Sequence, residues 1–425
     1  MSSLLAPSDA DAGRNEAVMP AGLRLQQRAA RTLTHALRAR AGHAYLLSGS
    51  RGAGTVDAAM WIAAASLCPN GGGDNCDVCR RVQRRVHPDL IWLQAEGQLL
   101  AREQIDLLID QLVRRPFEAG MQVAVIDDAE TLSSTNAITG NTLLKVLEEP
   151  PGDVLFVLLA NSSAQLLPTL RSRVIEVPFP PLADAVLRAH LTELGVNEAA
   201  LAANRLTLDA VVRMARGDVT RATELCAGGP TLYRHQVVTN IAVALASGQT
   251  EPAAAAAALL QLVDAAQSAA AELAEQEFQA LIDQMVAQEG NRFRNSKDSE
   301  GFESRVKRRA RRAMSDEIRL VLGELAMWYR DLLAVGSGAD DTVINLDCLP
   351  TLVALRGSNA ATRAVAALDA IEELPGRLST NIDLPIAVAA LCAELAGLGE
   401  NRIRARRTLG APSRTPAGMD VAISS

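Results

Sequence analysis

The sequence predicts an α/β domain built on a parallel sheet, followed by a small helical segment and an all-α C-terminal region. Three observations carry this. Short apolar runs alternate with helical stretches between Gly22 and Pro180; Pro178-Phe179-Pro180-Pro181 then stops the rhythm; everything beyond is helical and rich in alanine. Strands and helices in strict alternation imply βαβ units, which place strands parallel with helices on both faces.

The strand runs are Ala44–Ser48, Leu90–Leu93, Gln122–Ile126, Val154–Leu159 and Val174–Val177, and the helices between them are Val56–Leu67, Arg102–Val113 and Ala137–Leu147. Val154–Leu159 has no polar alternation, as a central strand covered on both faces requires. Three prolines in four residues can continue neither a helix nor an inner strand, so a boundary falls at about residue 180. Helical segments Ala183–Leu194 and Leu208–Arg216 follow, then a Gly228-Gly229-Pro230 break and a long helical region to about Gly399. The expected division is a flexible leader 1–21, the α/β domain 22–180, a helical lid 181–230, a helical domain 231–400 and a flexible tail 401–425. Within the helical domain, Gly290–Glu303 is polar and reads as a loop.

Composition sets limits. The 425 residues are 48% hydrophobic and 21% charged, which excludes disorder along the whole chain, and only 3% are aromatic, which favours helices packed through small side chains. No unbroken apolar run of membrane length occurs and the leader is polar, so neither a membrane span nor a secretory signal is expected. A net charge of −7 argues against coating nucleic acid by bulk electrostatics. Six cysteines are too few for a disulfide scaffold.

The first strand runs into Gly49-Ser50-Arg51-Gly52-Ala53-Gly54-Thr55-Val56 and then a helix, which is the context of a phosphate-binding loop. Glycines let backbone N–H groups and the helix N-terminus curl around phosphates. Gly49 and Gly54 keep the G-x-x-x-x-G spacing, with Gly52 between them. Lysine and Ser/Thr should follow, and Thr55 and Val56 stand there instead. The charge for the β/γ-phosphates and the hydroxyl for Mg²⁺ are both missing. The only lysines in the chain are Lys145, Lys297 and Lys307. Some seventy residues on, Gln122–Ile126 ends in Asp127-Asp128, the form of a metal-holding strand end. The second acid is aspartate where glutamate is usual, one methylene short for positioning an attacking water.

Three stretches then coincide with a known family. Val125-Ile126-Asp127-Asp128-Ala129-Glu130, the run from Asn141 to Pro151 (NTLLKVLEEPP), and Leu167-Pro168-Thr169-Leu170-Arg171-Ser172-Arg173 together resemble the AAA+ subunits of the bacterial DNA polymerase III clamp loader. The resemblance is strong over residues 22–230. It continues more weakly through Lys307–Asp331, which looks like the collar segment of delta-prime subunits of actinobacterial type. In that family gamma/tau subunits hydrolyse ATP and delta-prime subunits do not, so the missing lysine places this chain with the latter. The resemblance implies no ATPase of its own and a cytoplasmic subunit of a hetero-oligomer with gamma/tau and delta. Contact with the sliding clamp and primer–template DNA would come through that complex. It also makes Arg173, beside Ser172, an arginine finger for the ATP of a neighbouring gamma/tau subunit. Asn161-Ser162 and Arg221 fall where the family carries its two sensor residues. Two rival readings are an active gamma/tau-type ATPase and a degenerate AAA+ adaptor outside replication.

The family also implies a four-cysteine zinc module. Here Cys68, Cys76 and Cys79 match three of its positions, and the remaining one falls at Gly73, which cannot bind metal. Asp74, Asp77 and His87 are each candidates to complete the shell; otherwise the cluster is three reduced thiols in a loop that has lost its metal. In the collar segment, Ser315 with Asp316 and Glu317 reads as a helix start. The stripe Ile318, Val321, Leu322, Leu325, Trp328 and Leu332 then reads as core packing or a subunit interface. Arg305, Lys307, Arg308, Arg309, Arg311 and Arg312 read as a solvated basic face or as a DNA or partner contact.

Overall fold

The computed structural model describes residues 19–39, 41–50, 52–94, 100, 102–134, 137–289, 297–378 and 382–397. They fall into two compact units: one from within 1–236, 263–320 and 344–349, the other from within 237–262, 321–343 and 350–425. The helical domain expected at 231–400 is thus shared between the two.

The first unit opens with α1 (Ala21–Leu25) and α2 (Gln27–Ala39), then β1 (Ala44–Ser48), α3 (Thr55–Leu67), α4 (Asp77–Gln83), β2 (Leu90–Leu93) and α5 (Arg102–Leu112). It continues with β3 (Gln122–Ile126), α6 (Thr131–Ser134), α7 (Ala137–Glu148), β4 (Val154–Ala160), α8 (Pro168–Arg171) and β5 (Ile175–Pro178). The five strands are all parallel, in the order β2-β3-β4-β1-β5, so the expected α/β sheet is present. Strands β1, β3 and β4 are buried along their whole length, which is why their sequences carry no polar alternation. Alternate residues serve two cores. Tyr45, Leu47 and Val157 join Leu23, Leu33 and Ile62 of the first three helices, while Leu46, Phe156 and Leu158 join Leu108, Leu143 and Leu147 of α5 and α7. Full burial of each such side chain contributes roughly 1.5–3 kcal/mol. Met19 is buried with the first of these cores, so the ordered fold begins before the expected leader ends.

The lid segment forms α9 (Asp184–Glu193), α10 (Glu198–Ala203), α11 (Leu208–Ala215) and α12 (Val219–Ala227) around a core of its own, including Leu187, Leu191, Val211 and Leu225. Then come α13 (Pro230–Ala246), α14 (Pro252–Glu289) and α15 (Lys297–Gly336). The last of these corrects two expectations. Ser315 caps nothing, because it lies inside the forty-residue α15, flanked on both sides by good helix formers. Residues 297–303, expected as loop, are helical; 290–296 lie outside the described residues. Within α14, Pro252–Gln276 is long and apolar enough to cross a membrane by length and composition, with a mean hydropathy of 1.2. Its apolarity comes from alanine and is interrupted by polar residues, so a search for unbroken runs passes over it.

In the second unit the later part of α15 buries Leu325, Leu332 and the pair Trp328–Tyr329, whose rings meet edge to face with centroids 5.0 Å apart. Core packing is therefore how the structure uses the predicted stripe. After α16 (Leu349–Ala354) and α17 (Asn359–Thr362), α18 (Ala364–Leu378) packs on α19 (Leu384–Leu395), joined by an Arg377–Glu394 ion pair at 2.9 Å.

Candidate functional site

Parallel register fixes where the site lies. Ser48 pairs with Ala160 and Ile126 with Leu158, so the chain leaves β1, β3 and β4 side by side at Gly49, Asp127 and Asn161. The carboxyl edge of such a sheet is where ligands bind in open α/β folds. Gly49 donates its N–H to the Ala160 carbonyl at 2.9 Å, which pins the start of the glycine loop to the neighbouring strand end.

The loop itself is filled by its own chain. Gly52 and Gly54 hold φ of +82° and +101°, values that other residues reach only with strain. A side chain at Gly52 would overlap the carboxylate of Asp218, which the lid brings against the loop. One at Gly54 would meet the backbone of Gly22, and one at Gly49 the carbonyl of Phe179. Gln26, buried, donates to the Ala53 carbonyl at 3.2 Å and the Pro180 carbonyl at 2.6 Å, tying the loop to the exit from β5. Asp218 also caps α12 by accepting the Arg221 N–H at 2.8 Å. Burial raises its carboxyl above the ordinary range, against the opposing pull of the Arg221 amide and charge. The Asp218 carboxylate thus lies against the glycine loop while accepting N–H groups of its own helix.

The paired acids are engaged as well. Asp127 accepts from Gln94 Nε2 at 2.6 Å and from the Asp128 N–H at 3.0 Å. Asp128, at φ +55°, accepts from Arg312 Nη1 at 2.7 Å, and the two side chains are only 11% and 9% exposed. Arg312 also reaches Asp316 at 2.8 Å. Arg85 lies over the Trp92 ring, its guanidinium 3.8 Å from the centroid and within the field of Asp127, Arg309 and Arg312. Guanidinium charge thus stands where a metal would otherwise balance the acids. The cleft between Gly49, Thr55, Val56, Asp127, Asp128 and Asn161 keeps a cavity of only about 10 Å³, about the room one water needs.

Ser172 and Arg173 close α8 just before β5, the edge strand that pairs only with β1. Arg173 donates Nε–H to Glu148 Oε1 at 2.5 Å, and Nη1–H to the Thr169 carbonyl at 2.9 Å and to Ser172 Oγ at 3.2 Å. Its side chain is still 35% exposed. Arg173 is held by Glu148 in the last turn of α7 and remains partly open to solvent. Asn161 donates Nδ2–H to Glu130 at 2.5 Å, so it serves a local bond at the end of β4.

Residues 25–183 match the family described as "DNA polymerase III, delta subunit". The DNA polymerase III subunit delta' of Bacillus subtilis is 34% identical over 161 residues, 37% of this chain and 48% of that protein. The delta' subunit of Pseudomonas aeruginosa is 30% identical over 210 residues, 48% of this chain and 62% of that protein. Over residues 25–183 this chain is similar to the DNA polymerase III delta-subunit family. It spans about half the length of the delta' relatives it matches. The tau subunit of Escherichia coli is 32% identical over 227 residues, 52% of this chain and 32% of that protein. A gamma subunit-related protein of Thermotoga maritima aligns with a TM-score of 0.39 and 15% identity, covering 87% of this chain and 98% of its own. The clamp loader delta protein of Bacillus subtilis does so with 0.30 and 11%, covering 86% and 98%.

Cys68 after α3, Cys76 at the start of α4 and Cys79 in its first turn come together, and Asp74 joins them. Asp77 and His87, equally open from sequence, turn elsewhere: Asp77 to Arg81 at 2.9 Å and His87 Nε2 to Glu118 at 2.7 Å. Asp89, next to Pro88, accepts the backbone N–H groups of Phe117, Glu118 and Ala119 and so builds the turn into β3.

Sequence reasoning missed Asp218, Glu148, Arg85 and Arg312. The first two sit in motifs read for other residues. Arg312 lay in the basic run, and its burial against Asp128 corrects the reading of that run as one solvated face. Arg305's side chain lies outside what is described, whereas Lys307, Arg309 and Arg311 are exposed. A second cluster, His235, Asp347 and Cys348, joins α13 to the segment before α16, with His235 Nε2 and Asp347 Oδ2 2.9 Å apart.

Proposed function

We propose that this chain is a delta-prime-type subunit of a bacterial DNA polymerase III clamp loader, a cytoplasmic AAA+ brace that neither hydrolyses nor holds ATP itself. It assembles with gamma/tau and delta subunits, and through that complex it serves the sliding clamp and primer–template DNA. The family match supports the class of the subunit. The observation that carries the ATPase-inactive part is the self-filled cleft: Asp218 against Gly52, Arg312 on Asp128, and no lysine in the glycine loop.

A nucleotide would have to displace Asp218 from beside Gly52 and the Asp128–Arg312 pair, and bring Mg²⁺ beside a fixed guanidinium. Like charge opposes the metal, and no protein hydroxyl stands at Val56 to help hold it. What the module can offer is rigidity and one cation. Arg173 is permanently charged, its planar fork suits γ-phosphate oxygens, and its place before the edge strand gives it a route to a neighbour. In this role it exchanges Glu148 for phosphate oxygens as the neighbouring subunit docks. Fingers supplied in trans contribute about 10³–10⁵ in rate.

The test is reconstitution with gamma/tau and delta, followed by DNA-stimulated ATPase. Arg173→Ala should silence the one ATP site that this subunit faces, and Arg173→Lys should recover little, because a point charge cannot replace the fork. An unimpaired rate with Arg173→Ala would remove the finger assignment.

A further inference from the structure

We infer that Asp74 is the fourth ligand of a zinc-class divalent cation whose other three ligands are Cys68, Cys76 and Cys79. This inference concerns the chain alone and does not rest on the proposed function.

The spacing of the four ligand atoms is compatible with a tetrahedral site. All four ligand atoms lie within 4.8 Å of one another. Cys68 Sγ and Cys76 Sγ are 3.6 Å apart; Asp74 Oδ1 is 3.1 Å from Cys79 Sγ and 3.8 Å from Cys68 Sγ. Zinc bonds of ~2.3 Å to sulfur and ~2.1 Å to oxygen make tetrahedral edges of ~3.8 Å between sulfurs and ~3.6 Å between sulfur and oxygen. The two sulfur–oxygen distances lie on either side of their edge and the sulfur–sulfur distance just below its own, so a cation fits among the four with small side-chain adjustments.

The surroundings prepare each ligand. Asn70 donates Nδ2–H to Asp74 Oδ2 at 2.6 Å, which occupies one carboxylate oxygen and turns the other toward the thiols. The Gly73 N–H points at Cys79 Sγ at 3.2 Å and the Cys79 N–H at Cys76 Sγ at 3.5 Å. These backbone N–H groups aimed at sulfur orient the two side chains toward the cluster. Gly71, Gly72 and Gly73 all take positive φ, between +78° and +88°. A side chain at Gly72 would press within 2.8 Å of the Ala65 backbone N. That turn folds the loop back onto α3 and delivers Asp74 to the cysteines. Asp77 and His87 are committed to Arg81 and Glu118, so Asp74 is the candidate carboxylate that the structure brings into the cluster.

A three-sulfur, one-oxygen set suits zinc and also cobalt(II), whose colour reports its ligands. The experiment uses the full-length purified chain, stripped with chelator and titrated with Co²⁺ and then Zn²⁺. The wild type should bind one equivalent and show thiolate-to-cobalt charge-transfer bands with tetrahedral d–d bands. Asp74→Asn should weaken Zn²⁺ binding about tenfold or more. Asp74→Cys should restore affinity and shift the d–d bands as a fourth sulfur enters. Asp77→Asn should change neither spectrum nor affinity. Substoichiometric zinc in the wild type would overturn the inference, as would an Asp74→Asn chain with unaltered affinity and spectrum.

Discussion

Arg312 reaches back 184 residues along the chain to place Nη1 2.7 Å from Asp128 Oδ2, with both side chains almost shut off from water. Asp128 follows β3, at whose carboxyl end it stands beside Asp127. A buried carboxylate is costly unless it is paired, and here the partner is built in.

Removing one half of such a pair leaves the other charge buried. Arg312→Met should therefore lower the stability of the first unit by on the order of 3 kcal/mol, read as a shift of its urea transition. Arg312→Met combined with Asp128→Asn should recover much of the loss. Additive single effects would mean that the two residues are not energetically coupled.

Contact between the lid and the glycine loop makes a second coupling. Gly52→Ala forces alanine to a φ of +82° and into the Asp218 carboxylate, so it should destabilise. Asp218→Ala alone loses a helix cap, a cost of about 1 kcal/mol. The double variant should be more stable than the sum of the two predicts, because the overlap is gone. A thermal melt of all four proteins reads the difference, and strict additivity would separate the lid from the loop.

Asp347 gives a pH prediction. Burial works to raise its carboxyl, but the hydrogen bond and charge of His235 hold it below the ordinary range. The unfolded chain then takes up this proton first as pH falls. The stabilisation is complete above the ordinary carboxylate pKa of about 4 and is lost below it, as pH drops through the folded value. Asp347→Asn should flatten the acid limb of the stability profile below about pH 5. An unchanged limb would assign that dependence to other acids.

Much of this was legible in the sequence because it is local. The runs Ala44–Ser48, Leu90–Leu93 and Gln122–Ile126 are strands with those same bounds, since an unbroken apolar run of that length between turn residues has few other uses. The defect in the glycine loop could be read from Thr55 and Val56 alone. What could not be read is who fills the gap. Arg312 stands in a run of arginines that periodicity treats alike, and only tertiary packing singles it out. Asp218 caps α12, and nothing in its local sequence marks its second contact, with the glycine loop. Ser315 shows the converse error: a good local cap signal is overridden when the residues before it also favour helix. Among the cysteines the sequence offered Asp74, Asp77 and His87 equally. The turn through Gly71, Gly72 and Gly73 sets Asp74 apart from the other two.

In the proposed function the cleft beside the glycine loop is closed to nucleotide by the chain's own Asp218 and Arg312. Equilibrium binding of ATP to the purified chain, with and without Mg²⁺, tests it most directly when followed by turnover of the same sample. We predict no saturable binding and no hydrolysis above background. Stoichiometric, Mg²⁺-dependent binding that is lost on Asp127→Asn, or ATP turnover by the chain alone, would contradict it.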